Sequence, residues 1–215
     1  MRFDPESGLL LPRSRRMVQR GCFMGATQQA LVMVGAGIGG TTWSPTDKTS
    51  QWGLSNGDRT ATWTGASLGS IRSVAGSGGS LKVAWAVRVV SFTVAVFYAG
   101  LTDAAQAITS IGSPYLLIQT SGVTLQAGGS GSGATLAAMS ANDIYMFAQD
   151  GATGETWVGK GGTWSGDPGA GTGEAYTFTS PTDFKALLQS FNNATVDLLT
   201  GSDYPYSLPS GFSSL

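Results

Sequence analysis

The chain has 215 residues with 12 lysines and arginines against 13 acids, so it is long enough for one domain with a sizeable core and carries a net charge of −1. It has no histidine and a single cysteine, Cys22, which excludes Ser-His-Asp or Cys-His catalysis, His-ligated zinc or haem, and an internal disulfide. Its 32 glycines and 12% charged residues point to many turns and away from long helices, because each interior Gly costs about 1 kcal/mol relative to Ala.

The charge is unevenly placed. Residues 1–20 hold Arg2, Arg13, Arg15, Arg16 and Arg20 against Asp4 and Glu6, a net +3, and the remainder holds seven bases against eleven acids, a net −4. The body therefore lacks the basic surface that duplex nucleic acid requires. Residues 1–25 read as an extended anchoring arm. FDPESG is turn chemistry, Leu9-Leu10-Leu11-Pro12 is an apolar plug closed by a proline, and Arg13–Arg20 is basic without amphipathic period. Ser14-Arg15-Arg16 looks like the start of a twin-arginine signal, but Gly21, Gly25, Thr27, Gln28 and Gln29 intervene before the short apolar run Ala30–Val34, and no run approaches the ~20 residues of a membrane span.

Residues 26–42 read as a connecting strand, Ala30–Val34, and a glycine-rich loop, Gly35–Gly40. Short strands and turns follow: Gln51–Leu54, Arg59–Thr64 across the hairpin cue Asn56-Gly57, and Ile71–Ala75. In Leu81–Val90 the small or charged Lys82, Ala84, Ala86 and Arg88 alternate with Val83, Trp85, Val87 and Val89, a strand with one buried face. Phe92–Tyr98 reads as a second strand, buried on both faces. Ser113–Thr120 and Val123–Ala127 pair around Ser121-Gly122, and Gly128–Gly133 is a loop tip. Ile144–Ala148 and Thr156-Trp157-Val158 form a hairpin around a Gly/Asp turn, Lys160-Gly161-Gly162 turns again before Trp164, and Asp167-Pro168-Gly169 opens an irregular loop. Ala175–Thr179, Phe184–Ser190 and Ala194–Leu199 are further strands, Thr182–Gln189 is the one helix candidate, and the Pro/Ser-rich end is irregular. Ten to thirteen short strands with frequent turns predict an all-β antiparallel sandwich.

Several local patterns resemble catalytic motifs and are better read as structure. Gly35–Gly40 fits G-x-G-x-x-G, but Pro45 blocks the helix a dinucleotide site needs. Gly154–Gly161 lacks the hydroxyl and the helix of a phosphate loop. Gly65–Gly69 fits G-x-S-x-G without a histidine to act as base. Asn193-Ala194-Thr195 reads as strand sequence, Asp143, Asp150, Glu155 and Asp167 as turn acids bonded to backbone, and most of the six tryptophans as core anchors.

Residues 43–215 resemble the SPRY (B30.2-like) domain in the form found in bacteriophage virion proteins. The likeness rests on Trp43–Lys48 with Leu54–Asp58 and Ala61-Thr62, on Leu81–Gly100, on Asp143–Gly173 with Gly154, Trp157, Lys160, Gly162, Trp164, Gly166-Asp167-Pro168 and Gly171-Thr172-Gly173, and on Asn192–Leu198 with Pro209–Phe212. The resemblance implies two antiparallel sheets face to face, a SPRY or concanavalin-like jelly roll, with ligands held by loops, and it implies binding without catalysis or cofactor. The expectation is thus a non-enzymatic virion structural protein at the tail tip or fibre attachment, serving host recognition. A head decoration protein and a free-standing carbohydrate- or peptide-binding module are the alternatives. The arm is expected to dock on acidic virion proteins through Leu9, Leu10, Leu11, Arg13, Arg15, Arg16 and Arg20, since extended segments order on binding and arginine forks pair bidentately with carboxylates. A host surface glycan or protein is the expected partner of the sandwich loops. Several copies are expected in the particle, with neither nucleic acid nor membrane insertion involved.

Overall fold

The computed structural model describes residues 2–3, 10–11, 40–93, 97–109, 112–131, 133–180 and 183–215. The chain divides into two compact units, Met1–Ala36 and Gly37–Leu215. Within the first, β1 (Arg2–Phe3) pairs antiparallel with β2 (Leu10–Leu11). The connecting strand Ala30–Val34, Cys22 and the basic run Arg13–Arg20 lie outside the described residues.

The second unit is a sandwich of two sheets whose regular elements, among the described residues, are all strands, and no helix among the described residues is long and apolar enough to cross a membrane. Its strands are β3 (Trp43–Lys48), β4 (Trp52–Ser55), β5 (Thr60–Trp63), β6 (Gly69–Gly76), β7 (Lys82–Phe92), β8 (Phe97–Asp103), β9 (Tyr115–Gln119) and β10 (Thr124–Ala127). These are followed by β11 (Gly129–Ser130), β12 (Ile144–Asp150), β13 (Glu155–Lys160), β14 (Thr163–Trp164), β15 (Tyr176–Phe178), β16 (Phe184–Ser190), β17 (Ala194–Leu199) and β18 (Ser213–Ser214). The six-stranded sheet runs β10-β9-β8-β16-β6-β3. The ten-stranded sheet runs β11-β15-β13-β12-β7-β17-β5-β4, with β14 on β13 and β18 on β7. Among the described residues all strand pairings are antiparallel except β18 with β7. The predicted all-β antiparallel sandwich is what forms.

The core lies between the sheets and is aromatic. Trp43, Trp52, Trp63 and Trp85 are fully buried there with Phe97, Phe147, Phe178 and Phe184. Trp85 stacks on Phe147 at 5.5 Å, and Phe178 of the large sheet meets Phe184 of the small one at 4.2 Å. Five of the six tryptophans are fully buried, as their reading as anchors requires.

Three expectations change. Phe92–Tyr98 is not one strand: Phe92 ends β7 in the large sheet and Phe97 begins β8 in the small one, so apolar character here marks a crossing between layers. Phe184–Ser190, read as a strand and also within the helix candidate Thr182–Gln189, forms the strand β16, paired on both sides by β6 and β8, so the strand reading holds and the helix does not form there. The middle of the small face of β7 is buried as well, because residues 200–215 return across it, while Lys82 and Arg88 at either end stay exposed. Ser213 and Ser214 pair with Val83 and Ala84, and the Leu215 N–H donates to Ala84 O at 2.9 Å. Ala84 and Ala86 are fully buried under this strap, which brings Phe212, Tyr204 and Tyr206 over Trp157, Met146 and Trp164.

Candidate functional site

The strap covers only part of the outer face of the large sheet. Beside it lies an open groove of about 700 Å³ lined by Asn56, Gly57, Arg59, Arg88, Asp197 and Asp203, with Leu198 and Leu199. Three pieces of chain build it.

The first is the β4–β5 hairpin tip. Asn56, Gly57 and Asp58 all have positive φ (54°, 61° and 63°), a geometry that Asn, Gly and Asp tolerate best. The Asn-Gly cue therefore marks the turn correctly. It also sets Arg59 at the groove wall, where the Arg59 N–H donates to Asn56 O and Arg59 O accepts from Leu198 N.

The second is a row of residues across the outer face. Period-two alternation sends Ala194, Val196 and Leu198 of β17 into the core, so Asp197 faces outward. Its cross-strand neighbours are Thr60 of β5 and Arg88 of β7. Thr60 Oγ1 donates to Asp197 Oδ1 at 2.6 Å, and Arg88 donates to Oδ2 through Nε at 3.0 Å and Nη2 at 2.5 Å. Asp197 is 7% exposed, so this charge is buried and fully partnered, whereas the Arg88 side chain is 47% exposed and keeps one edge to the groove.

The third is the turn that opens the strap. Asp203 N donates to Thr200 O, and the Asp203 carboxylate pairs with Arg59. The four charges of the groove thus cancel in pairs.

The same economy holds over the described sandwich. Arg72 forks onto Asp47 at 2.9 and 2.8 Å, Lys82 pairs with Asp150 and Lys160 with Asp143, Lys185 lies 3.9 Å from Asp47, and Lys48 donates to Trp52 O. Each of its seven cations therefore already holds an acid or a carbonyl. Burial would raise the Asp150 carboxyl, but Lys82 and the amides of Ala152 and Thr153 outweigh it and hold the carboxyl below its ordinary value.

The motif-like patterns have structural explanations. A Cβ on Gly65 or Gly69 would overlap the Trp63 ring, so that G-x-S-x-G spacing is a cradle for an indole. Gly154 and Gly161 have φ of 79° and 60°, and Lys160 is a strut donating to Ala137 O and Ala138 O at 3.3 and 2.8 Å over the Tyr145 ring. Asp143, Asp150 and Asp167 each accept a backbone N–H in their own turn, and Glu155 accepts from Thr153 Oγ1. Among the described residues no group of three or more Asp, Glu or Cys is placed to hold a metal ion. Of the arm residues read as partner-binding, Leu10 and Leu11 lie in β2, and Leu9, Arg13, Arg15, Arg16 and Arg20 lie outside the described residues.

The sequence reading missed the groove. Arg88 falls on the small or charged face of its strand and Asn56-Gly57 reads as a turn, but nothing local joins them to Asp197 and Asp203.

No protein-family model matches the chain, and no curated protein matches it. Among solved structures it is similar to the SPRY domain of human HERC1, with a TM-score of 0.57 at 14% identity, over 73% of this chain and 96% of that one. Stonustoxin (TM-score 0.46, 13% identity, 74% of this chain and 27% of that one) and the carbohydrate-binding module CBM66 from Bacillus subtilis (0.42, 9%, 74% and 93%) are more distant. The HERC1 comparison shows a SPRY-like fold.

Proposed function

We propose that the chain is a non-enzymatic binding module of a bacteriophage particle, a SPRY-like sandwich displayed outward and tethered by the basic segment 1–25 at the tail tip or fibre attachment. The observation that carries the binding-module part of this reading is the SPRY-like sandwich itself, and its placement on a bacteriophage particle rests on the resemblance of residues 43–215 alone. The arm, net +3 against a body of −4, supplies cations, while those of the described sandwich are committed internally. A head decoration role uses the same two parts. The groove beside the strap favours ligand recognition over a purely structural role.

The test is deletion of residues 1–20 in the particle's own genetic background. Purified particles are then assayed for the protein by mass spectrometry, and the soluble fraction is assayed for a folded sandwich by circular dichroism. The truncated protein is expected to fold and stay soluble while disappearing from particles. Normal incorporation without the arm overturns the tether.

A further inference from the structure

We propose that the groove between the β4–β5 hairpin tip and the strap binds a neutral polyhydroxylated ligand, a sugar unit of a surface glycan. The inference deepens the binding-module reading and rests on it.

Charge removes the first competitor. Two guanidiniums and two carboxylates line the groove, each guanidinium joined to a carboxylate. An incoming phosphate would gain two cations only by approaching two anions, and an incoming ammonium meets the converse. Neither gains what a one-signed cleft provides.

Topology removes the second. The groove lies over the faces of β5, β17 and β7, whose backbone groups are spent on one another. An extended peptide recognised by strand addition needs an open sheet edge, and the neighbouring edge strand, β4, contributes no residue to the groove lining.

What remains exposed is a mixed set of donors and acceptors. Arg88 Nη1 and the Nε and Nη2 of Arg59 hold no partner among the described residues, nor do Asp203 Oδ1 and the Asn56 side-chain amide. A sugar hydroxyl donates and accepts at once, so vicinal hydroxyls can engage a guanidinium edge and a carboxylate oxygen together. The carboxylate and guanidinium bonds are charge-assisted, which strengthens them without requiring net charge on the ligand. Leu199 offers a small apolar patch to the C–H face of a ring. The Thr60–Asp197–Arg88 row fixes the Arg88 fork before any ligand arrives, so little side-chain ordering remains to be paid on binding.

The site is open, so a single sugar is expected to bind with a Kd on the order of 1 mM, raised to useful avidity by several copies on one particle. The test is an amide-shift NMR titration of the full chain with glucose, galactose, mannose and N-acetylglucosamine, and separately with inorganic phosphate. At least one sugar is expected to produce saturable shifts at Asn56, Gly57, Arg59 and Asp203, and phosphate none.

Arg88→Lys keeps a cation beside Asp197 but removes the fork, and Asn56→Gly keeps the left-handed turn but removes the amide. Each is expected to weaken that sugar at least tenfold; Asn56→Gly should leave the melting temperature unchanged, and Arg88→Lys should lower it because the buried Asp197 loses a bond. Should Arg88→Lys unfold the protein, Asn56→Gly alone decides. Three results overturn the inference: no sugar shifting these amides up to about 100 mM, a hundredfold above the expected Kd; phosphate binding there more tightly than any sugar; or full affinity in both variants. A negative titration together with arm-dependent incorporation discards the groove and leaves the tether standing.

Discussion

Val83, Trp85, Val87 and Val89 on one face of β7 are held by a second sheet, whereas Ala84 and Ala86 on the other are held by one returning segment, residues 200–215. These residues are buried on both faces, but the supports differ. The inner face shares its load among strands far apart in sequence, so losing one contact leaves many. The outer face depends on Phe212, Tyr204 and Tyr206, anchored by a two-residue parallel strand and a few turns. Small residues on β7 are what let the strap lie close, and they leave the strap little area to grip. The strap thus shapes the groove wall through Asp203 and enters the main core through its last residue, Leu215.

The sharpest way to break this contrast is to truncate one ring on each side. Trp85→Ala removes a fully buried indole stacked on Phe147 and is expected to cost about 4 kcal/mol in urea unfolding. Phe212→Ala removes a ring that meets Trp157 edge-on at 6.0 Å in a small cluster, and is expected to cost about 2 kcal/mol. Equal losses would mean that the strap is as integral as the sheets.

Alkali probes the strap from another direction. Burial, with a smaller contribution from Tyr206, pushes the Tyr204 hydroxyl up to about 12. The unfolded chain releases this proton near pH 10 while the folded chain retains it, so stability is full below pH 10 and falls as pH rises toward 12. A shift of this size corresponds to about 3 kcal/mol at most. Tyr204→Phe is expected to flatten the fall in melting temperature over that window, although burial also raises Tyr145 and Tyr176, whose share remains. An unaltered alkaline profile would show that the strap does not bury the Tyr204 hydroxyl against the sheet.

On the inner side, Gln149 faces the core between Val83 and Thr156, and neither end of its amide has a partner among the described residues. Gln149→Met keeps the shape and removes the unmet polar atoms, so a gain of about 1 kcal/mol is expected in the same urea assay. Destabilisation would reveal a partner for that amide.

The same two faces explain what could be read from residues alone. Alternation in Lys82–Val90 and the turns at Asn56-Gly57, Gly154 and Gly161-Gly162 are local signals, and they located the strands and hairpins. Whatever depended on distant segments was hidden. Phe92 and Phe97 look like one apolar strand because both enter the same core, from different sheets. Ala84 and Ala86 look like an exposed small face because their cover lies more than 110 residues further along. The groove was illegible for the same reason: it joins a hairpin tip, two strand interiors and a late turn, each ordinary by itself.

The smallest expected effect bears most directly on the groove. The Arg59–Asp203 pair spans hairpin and strap, with side chains 20% and 50% exposed. An exposed pair is screened by solvent and pays the entropy of holding two long side chains, so Asp203→Asn is expected to cost less than about 1 kcal/mol. Asparagine keeps the shape and one acceptor but leaves the groove with a net positive charge. If the groove selects neutral ligands because its charges cancel, this variant should begin to bind inorganic phosphate while melting within a few degrees of the parent. A large stability loss would instead make the pair a clasp that holds the strap down. A small loss with no gain in phosphate binding would show that charge balance does not set the selectivity of this face.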